Sequence, residues 1–150
     1  MSAKKLARIL IVLLFIGASG TLAEDAENFI KYRQDYMEAI GGHAGSAGRI
    51  MRGKVSPKGH LLMHARALKD LADGVDMLFP QGSDFGETRA KEEVWSDSVG
   101  FDQAVKEYQN SAASFVQALE RGNDKAAKEA FEGIRDACKG CHKKYRAKKE

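Results

Sequence analysis

Near the C-terminus of this 150-residue chain, two thiols and an imidazole stand within five positions, as Cys138-Lys139-Gly140-Cys141-His142; the chain has no other cysteine. A cysteine pair at this spacing can be a redox dithiol, a local disulfide, half of a zinc site, or an attachment point for a cofactor. A thioredoxin-like dithiol wants a preceding strand and an exposed helix start. A disulfide over two intervening residues closes too small a loop to stabilise much. A zinc site lacks a fourth ligand at an obvious spacing.

The histidine directly after the second cysteine points to the fourth use. C-x-x-C-H is the pattern through which haem c is attached. On a helix, positions i, i+3 and i+4 share a face. Two thiols there reach the two vinyl groups on one porphyrin edge as thioethers, and His142 reaches the iron from the same side. The apolar or small residues Ala127, Phe131, Ile134, Cys138, Cys141 and Tyr145 recur at helical spacing, which puts both cysteines on an inner face. Asn123 or Asp124 is the expected cap of that helix.

Three further helices are needed to enclose such a face. The first is expected over about 25–52, with Ile30, Arg33, Met37, Ile40, Ala44, Ala47 and Met51 on one stripe and Gly41-Gly42 as its weak point. Ser56-Pro57 reads as the start of a second, running to about Leu78 on Leu61, Ala65, Leu68, Ala72, Val75 and Phe79, and stopped by Pro80. A loop follows, with a short helical turn expected over Ala90 to Trp95. The third long helix starts at Asp97 or Ser98 and ends before Gly122, with Phe101, Val105, Tyr108, Ala112, Phe115 and Leu119 inward. No segment alternates as a strand does. The expected fold is all-α, an antiparallel up-down-up-down four-helix bundle with one longer connection.

Residues 1–23 read differently. Lys4, Lys5 and Arg8 precede the apolar run Ile9 to Ile16, and small residues end at Thr21-Leu22-Ala23, the pattern of an export signal cleaved after Ala23. Eight apolar residues span about 12 Å as a helix, short of the roughly 30 Å of a bilayer core. The expected mature domain is 24–150, in the periplasm. The full chain carries 24 Lys and Arg against 21 Asp and Glu. Removing the segment's three basic residues leaves the two equal, so neither nucleic acid nor a membrane surface is implied as a partner. Basic residues do crowd the C-terminus, where they complement the helix dipole.

Over nearly all of this domain the sequence resembles the cytochrome c-prime and cytochrome c556 family. The resemblance is carried by Tyr32-Arg33-Gln34-Asp35-Tyr36-Met37, Leu78-Phe79-Pro80, Gly86-Glu87-Thr88-Arg89, Val94-Trp95 and Cys138 to Arg146. It implies one covalent haem c inside the bundle, with Cys138 and Cys141 as attachment points, His142 as iron ligand and the first helix on the opposite side of the iron. Met37 falls at the position facing the iron. As a thioether ligand it makes an electron carrier that exchanges electrons with redox partner proteins and has no catalytic residues, and Gly41-Gly42 suits that c556-like branch. As an uncoordinated side chain it leaves an iron open to NO or CO, since Met also serves as a gap-filler in helical cores. The first reading is taken as primary, the second as its alternative. Arg33 and Gln34 are expected at the propionates, and Arg146, four residues after His142, beside the imidazole. Family members often pair as homodimers through the first two helices.

His43 has a minor reading as a distal ligand, and His60 and His64, four apart, as a metal pair; surface histidines are the expectation for the latter two. Met51, Met63 and Met77 read as core or surface residues.

Overall fold

The computed structural model describes the backbone of residues 18–56 and 58–148 and the side chains of 26–56 and 59–148. Residues 1–17 of the expected export signal lie outside the described residues, as does Pro57. Five α-helices follow in order: α1 Ala18–Met51, α2 Lys58–Ala72, α3 Glu93–Ser96, α4 Ser98–Glu120 and α5 Asp124–Tyr145, with a 3-10 turn at Asp76–Leu78. Among the described residues the only strand-like pairing is one isolated bridge, Ala90 to Arg146. The four long helices form the expected bundle: α1 packs on α2, α2 on α4, and α4 along much of α5.

The helix ends follow local chemistry. The Asp97 side chain accepts from the Gly100 amide at 3.3 Å and starts α4. Gly122, at φ +65°, closes α4 with its amide on Leu119 O and the Asn123 amide on Ala118 O, the paired bonds of a Schellman ending. Asn123 then caps α5 by accepting from the Ala126 amide.

Three elements depart from the sequence reading. The first helix is already formed at Ala18, the first described residue and seven before the expected start, and runs unbroken through Gly41-Gly42. α2 ends at Ala72 although its apolar stripe continues to Phe79. There the Leu71 carbonyl, which a continuing α-helix would offer to Val75, accepts from the Tyr36 hydroxyl of α1 at 2.8 Å. The chain tightens instead, with Gly74 N on Leu71 O and Val75 N on Ala72 O, and passes into the 3-10 turn. The short turn expected at 90–95 forms slightly later, at Glu93–Ser96.

Phe115, Leu68, Leu78 and Ile134 are the largest apolar side chains with no exposed surface to speak of. Each contributes about 1.5–3 kcal/mol by leaving water. Phe115 and Phe131 meet at 5.3 Å between α4 and α5, and Phe79, Phe101 and Tyr145 form an edge-to-face chain at the opposite end of α5. Tyr108 reaches α2 through a hydroxyl bond to Leu68 O at 2.9 Å.

A Cβ on Gly74 would stand 2.5 Å from the Tyr36 hydroxyl. Gly74→Ala is expected to cost about 1–3 kcal/mol by forcing Tyr36 off Leu71, and Tyr36→Phe about 1 kcal/mol for the lost bond. In the Tyr36→Phe background most of the Gly74→Ala cost disappears. Denaturant unfolding of the four proteins of this cycle measures the coupling.

Candidate functional site

Cys138, Cys141 and His142 occupy the last two turns of α5, and all three are half-buried. Both cysteine side chains pack against the main hydrophobic cluster, and the thiols are not bonded to each other. Burial pushes the Cys138 thiol up and that of Cys141 up to about 11, so both are protonated near neutrality. The His142 imidazole is pushed down, first by burial and then by the Arg146 and Arg89 charges. Its neutral form, the one with a lone pair for a metal, is therefore favoured.

What faces this group is set by how α1 and α5 lie side by side. A Cβ on Gly48 would stand 3.3 Å from the Phe131 ring, so these two residues are level. Eleven residues back along α1 is Met37, and eleven residues on along α5 is His142, each about 16 Å from that contact on antiparallel helices. Met37 is thus level with His142, and by the same register Arg33 is level with Arg146. The loop between α2 and α4 gives independent support, because it touches both: Thr88 meets Arg33, and Arg89 O accepts from the Ala147 amide. Met37 is half-buried and packed on the main cluster.

The donor set fits a covalent haem. Two thiols and an imidazole share one helix face, a thioether stands level with the imidazole on the neighbouring helix, and α1 and α5 approach each other much less closely than α4 and α5 do. The close approach that small residues on α1 allow is found at Gly48. A Cβ on Gly41 or Gly42 would meet nothing within 4 Å.

Arg33 is bonded within the chain. It is 4% exposed, on the inner stripe of α1. One terminal nitrogen donates to Leu78 O at 3.2 Å and Ser83 Oγ at 2.9 Å, and the other to Ser83 O at 2.9 Å and Thr88 Oγ1 at 2.7 Å. Its guanidinium also lies 4.9 Å from the centre of the Phe79 ring. Gln34 is exposed and donates to Glu87 O at 2.7 Å. Both side chains hold the 78–88 loop. Arg146 is exposed and its amide caps α5 on His142 O.

The remaining candidates lie elsewhere. His43 faces His64 of α2, with their Nδ1 atoms 3.0 Å apart. Met51 is half-buried against the core, while Met63 and Met77 are exposed. Sequence reasoning missed three participants. Arg89 acts on His142 by charge, and Ser83 and Thr88 receive Arg33. Gly86-Glu87-Thr88-Arg89 enters the sequence reading only through the family resemblance.

Residues 28–146 match the family model for cytochrome C'. The cytochrome c' of Rubrivivax gelatinosus is 31% identical over 121 residues, covering 79% of this chain and 94% of the relative. Among solved structures, cytochrome c prime from Shewanella frigidimarina superposes with TM-score 0.78 at 28% identity, over 83% of this chain and 98% of that one. A nitric oxide complex of a mutant cytochrome c prime from Alcaligenes xylosoxidans superposes with TM-score 0.76 at 27% identity, over 83% and 97%.

The Arg33 network yields its own test. Arg33→Ala is expected to cost about 3 kcal/mol, since hydrogen bonds to a charged group are each worth about 1.5–3 kcal/mol and buried acceptors are left unpaired. Arg33→Lys should restore little, because one ammonium cannot serve the four directions of the guanidinium fork. Denaturant unfolding gives the loss. Faster hydrogen exchange at the Lys91 amide, which bonds Tyr145 O, would show the loop releasing α5.

Proposed function

The chain belongs to the cytochrome c' family, and on that premise we propose that it is a periplasmic haem protein that binds a small diatomic gas such as nitric oxide, with Met37 covering the approach to the iron. The observation that carries this reading is the near full-length superposition on relatives solved as nitric oxide complexes. As a member of the family the chain carries one covalent c-type haem. Cys138 and Cys141 are the residues that would hold it through thioethers and His142 the one that would hold its iron; when bound, it supplies an iron with a further coordination position.

The chain's own residues determine what reaches that position. Met37 places an apolar, unbranched side chain against the core at the level of His142. Such a side chain excludes water and can move aside for a diatomic molecule, because three rotatable bonds let it repack. The Arg89 and Arg146 charges oppose protonation of His142 and so support its role as ligand. The role is one of binding, and no catalytic residue is assigned. Redox partner proteins are proposed as the source of electrons that set the iron's oxidation state.

A second reading keeps Met37 as a sixth ligand in an electron carrier, and its support is the register that sets Met37 level with His142. The ferric protein separates the two. Under the gas-binding reading its optical and EPR spectra are high-spin, and Met37→Ala leaves them so while speeding NO or CO association roughly tenfold, the effect of removing about 1.4 kcal/mol of steric barrier. A low-spin ferric spectrum that Met37→Ala turns high-spin would establish the electron carrier instead. Replacing both Cys138 and Cys141 by Ala should leave no haem attached after denaturation, and haem that survived it would overturn both readings.

A further inference from the structure

The chain has four histidines. With His142 assigned to the haem, the other three lie on α1 and α2. His43 and His64 bring their Nδ1 atoms to 3.0 Å, with ring centres 5.2 Å apart and planes inclined at 62°. His60 is exposed one turn before His64 on the same side of α2. His43 stands six residues beyond Met37, a rotation of about 240° around α1, so this patch is turned away from the haem side.

We propose that His43 and His64, with His60 within reach, form a second metal site for a borderline divalent transition-metal ion, with Cu²⁺ bound most tightly. Three observations support it. The first is distance. Two nitrogens bound to one ion at about 2.0–2.1 Å are roughly 2.8 Å apart at a square corner and roughly 3.4 Å apart at a tetrahedral one. The separation of 3.0 Å lies between, so an ion can enter with little movement of either helix.

The second is the hydrogen bond between the two rings. In the absence of an ion, two neutral rings at this distance share one hydrogen, one Nδ1–H donating to the other Nδ1. Metal entry needs that hydrogen to move only to the Nε2 of its own ring, with no net proton lost.

The third is the ligand type. Among the described residues no third His, Cys, Asp or Glu converges with the pair into a preformed cluster. The site therefore offers imidazole and water, with His60 free to swing in. Imidazole without carboxylate selects Cu²⁺, Ni²⁺ or Zn²⁺ over Mg²⁺ and Ca²⁺, and Cu²⁺ stands highest in that series.

The test uses the haem-loaded ferric protein, in which His142 and both cysteines are already occupied. Cu²⁺ titration followed by calorimetry and EPR should show one equivalent per chain with imidazole nitrogen coupling, and Ca²⁺ should not bind. His43→Gln and His64→Gln should each lower Cu²⁺ affinity by more than about tenfold, the lower end of what even an outer ligand partner contributes. Their haem spectra and helical content should match the wild type, which separates loss of ligand from loss of fold. Zn²⁺ should raise the unfolding temperature of the wild type and of neither variant. Absence of Cu²⁺ uptake by the wild type would overturn the proposal. So would wild-type affinity in His43→Gln, which would leave only the His60 and His64 pair on α2.

Discussion

The buried guanidinium of Arg33 is the constraint from which the working end of the bundle follows. A cation removed from water costs several kcal/mol unless its hydrogen bonds are replaced. Here two backbone carbonyls and two hydroxyls answer it, all from residues 78–88. Ser83 is itself held by donating to Pro80 O, and Thr88 Oγ1 also accepts from the Ala90 amide. The loop is thus shaped around α1. Its far end is shaped around α5, through Lys91 N on Tyr145 O, Ala147 N on Arg89 O and Lys91 Nζ on Lys144 O. Asp97 closes the same end by accepting from Tyr145 and Lys144.

One consequence concerns how α1 and α5 are positioned. They pack on each other far less than α4 packs on α5, so their relative height is carried by this relay and by the Gly48 to Phe131 contact at the other end. Met37 is one turn from Arg33, and His142 one turn from Arg146. Two side chains from distant parts of the sequence are brought level by contacts neither of them makes. This places the stability of the loop and the geometry of the haem side under common control.

The long helices were legible because each buries a stripe whose spacing is fixed by 3.6 residues per turn. Ile30, Arg33, Ile40 and Ala47 are buried on α1, Phe101, Val105, Tyr108, Ala112 and Phe115 on α4, and Ala127, Phe131 and Ile134 on α5. The cysteine pair and His142 were legible from type and spacing alone. Arg33 shows where such reading stops. Its place on the inner stripe follows from spacing, but its acceptors on the 78–88 loop, 45–55 residues away, are set by the tertiary fold and not by helical periodicity. The end of α2 was hidden for a similar reason. The apolar stripe runs past it to Phe79, while Asp73-Gly74 and a hydroxyl bond from Tyr36 of α1 sit at the break. The pairing of His43 with His64 also depends on the register of two helices, whereas the i, i+4 spacing drew attention to His60.

Helix α1 therefore serves three neighbours from two faces of one element. Arg33 ties it to the loop, Met37 turns toward the height of His142, and His43 turns to α2. Tyr36, adjacent to Met37 in sequence, bonds the backbone of α2 at Leu71, so the rotation of α1 about its own axis is set close to the residue that most needs a defined orientation. A rotation that moved Met37 would also have to break the Tyr36 and Arg33 bonds and separate His43 from His64. Those contacts lie on different sides of the helix, so no single rotation preserves them all. The orientation of α1 at the level of Met37 is in this sense over-determined.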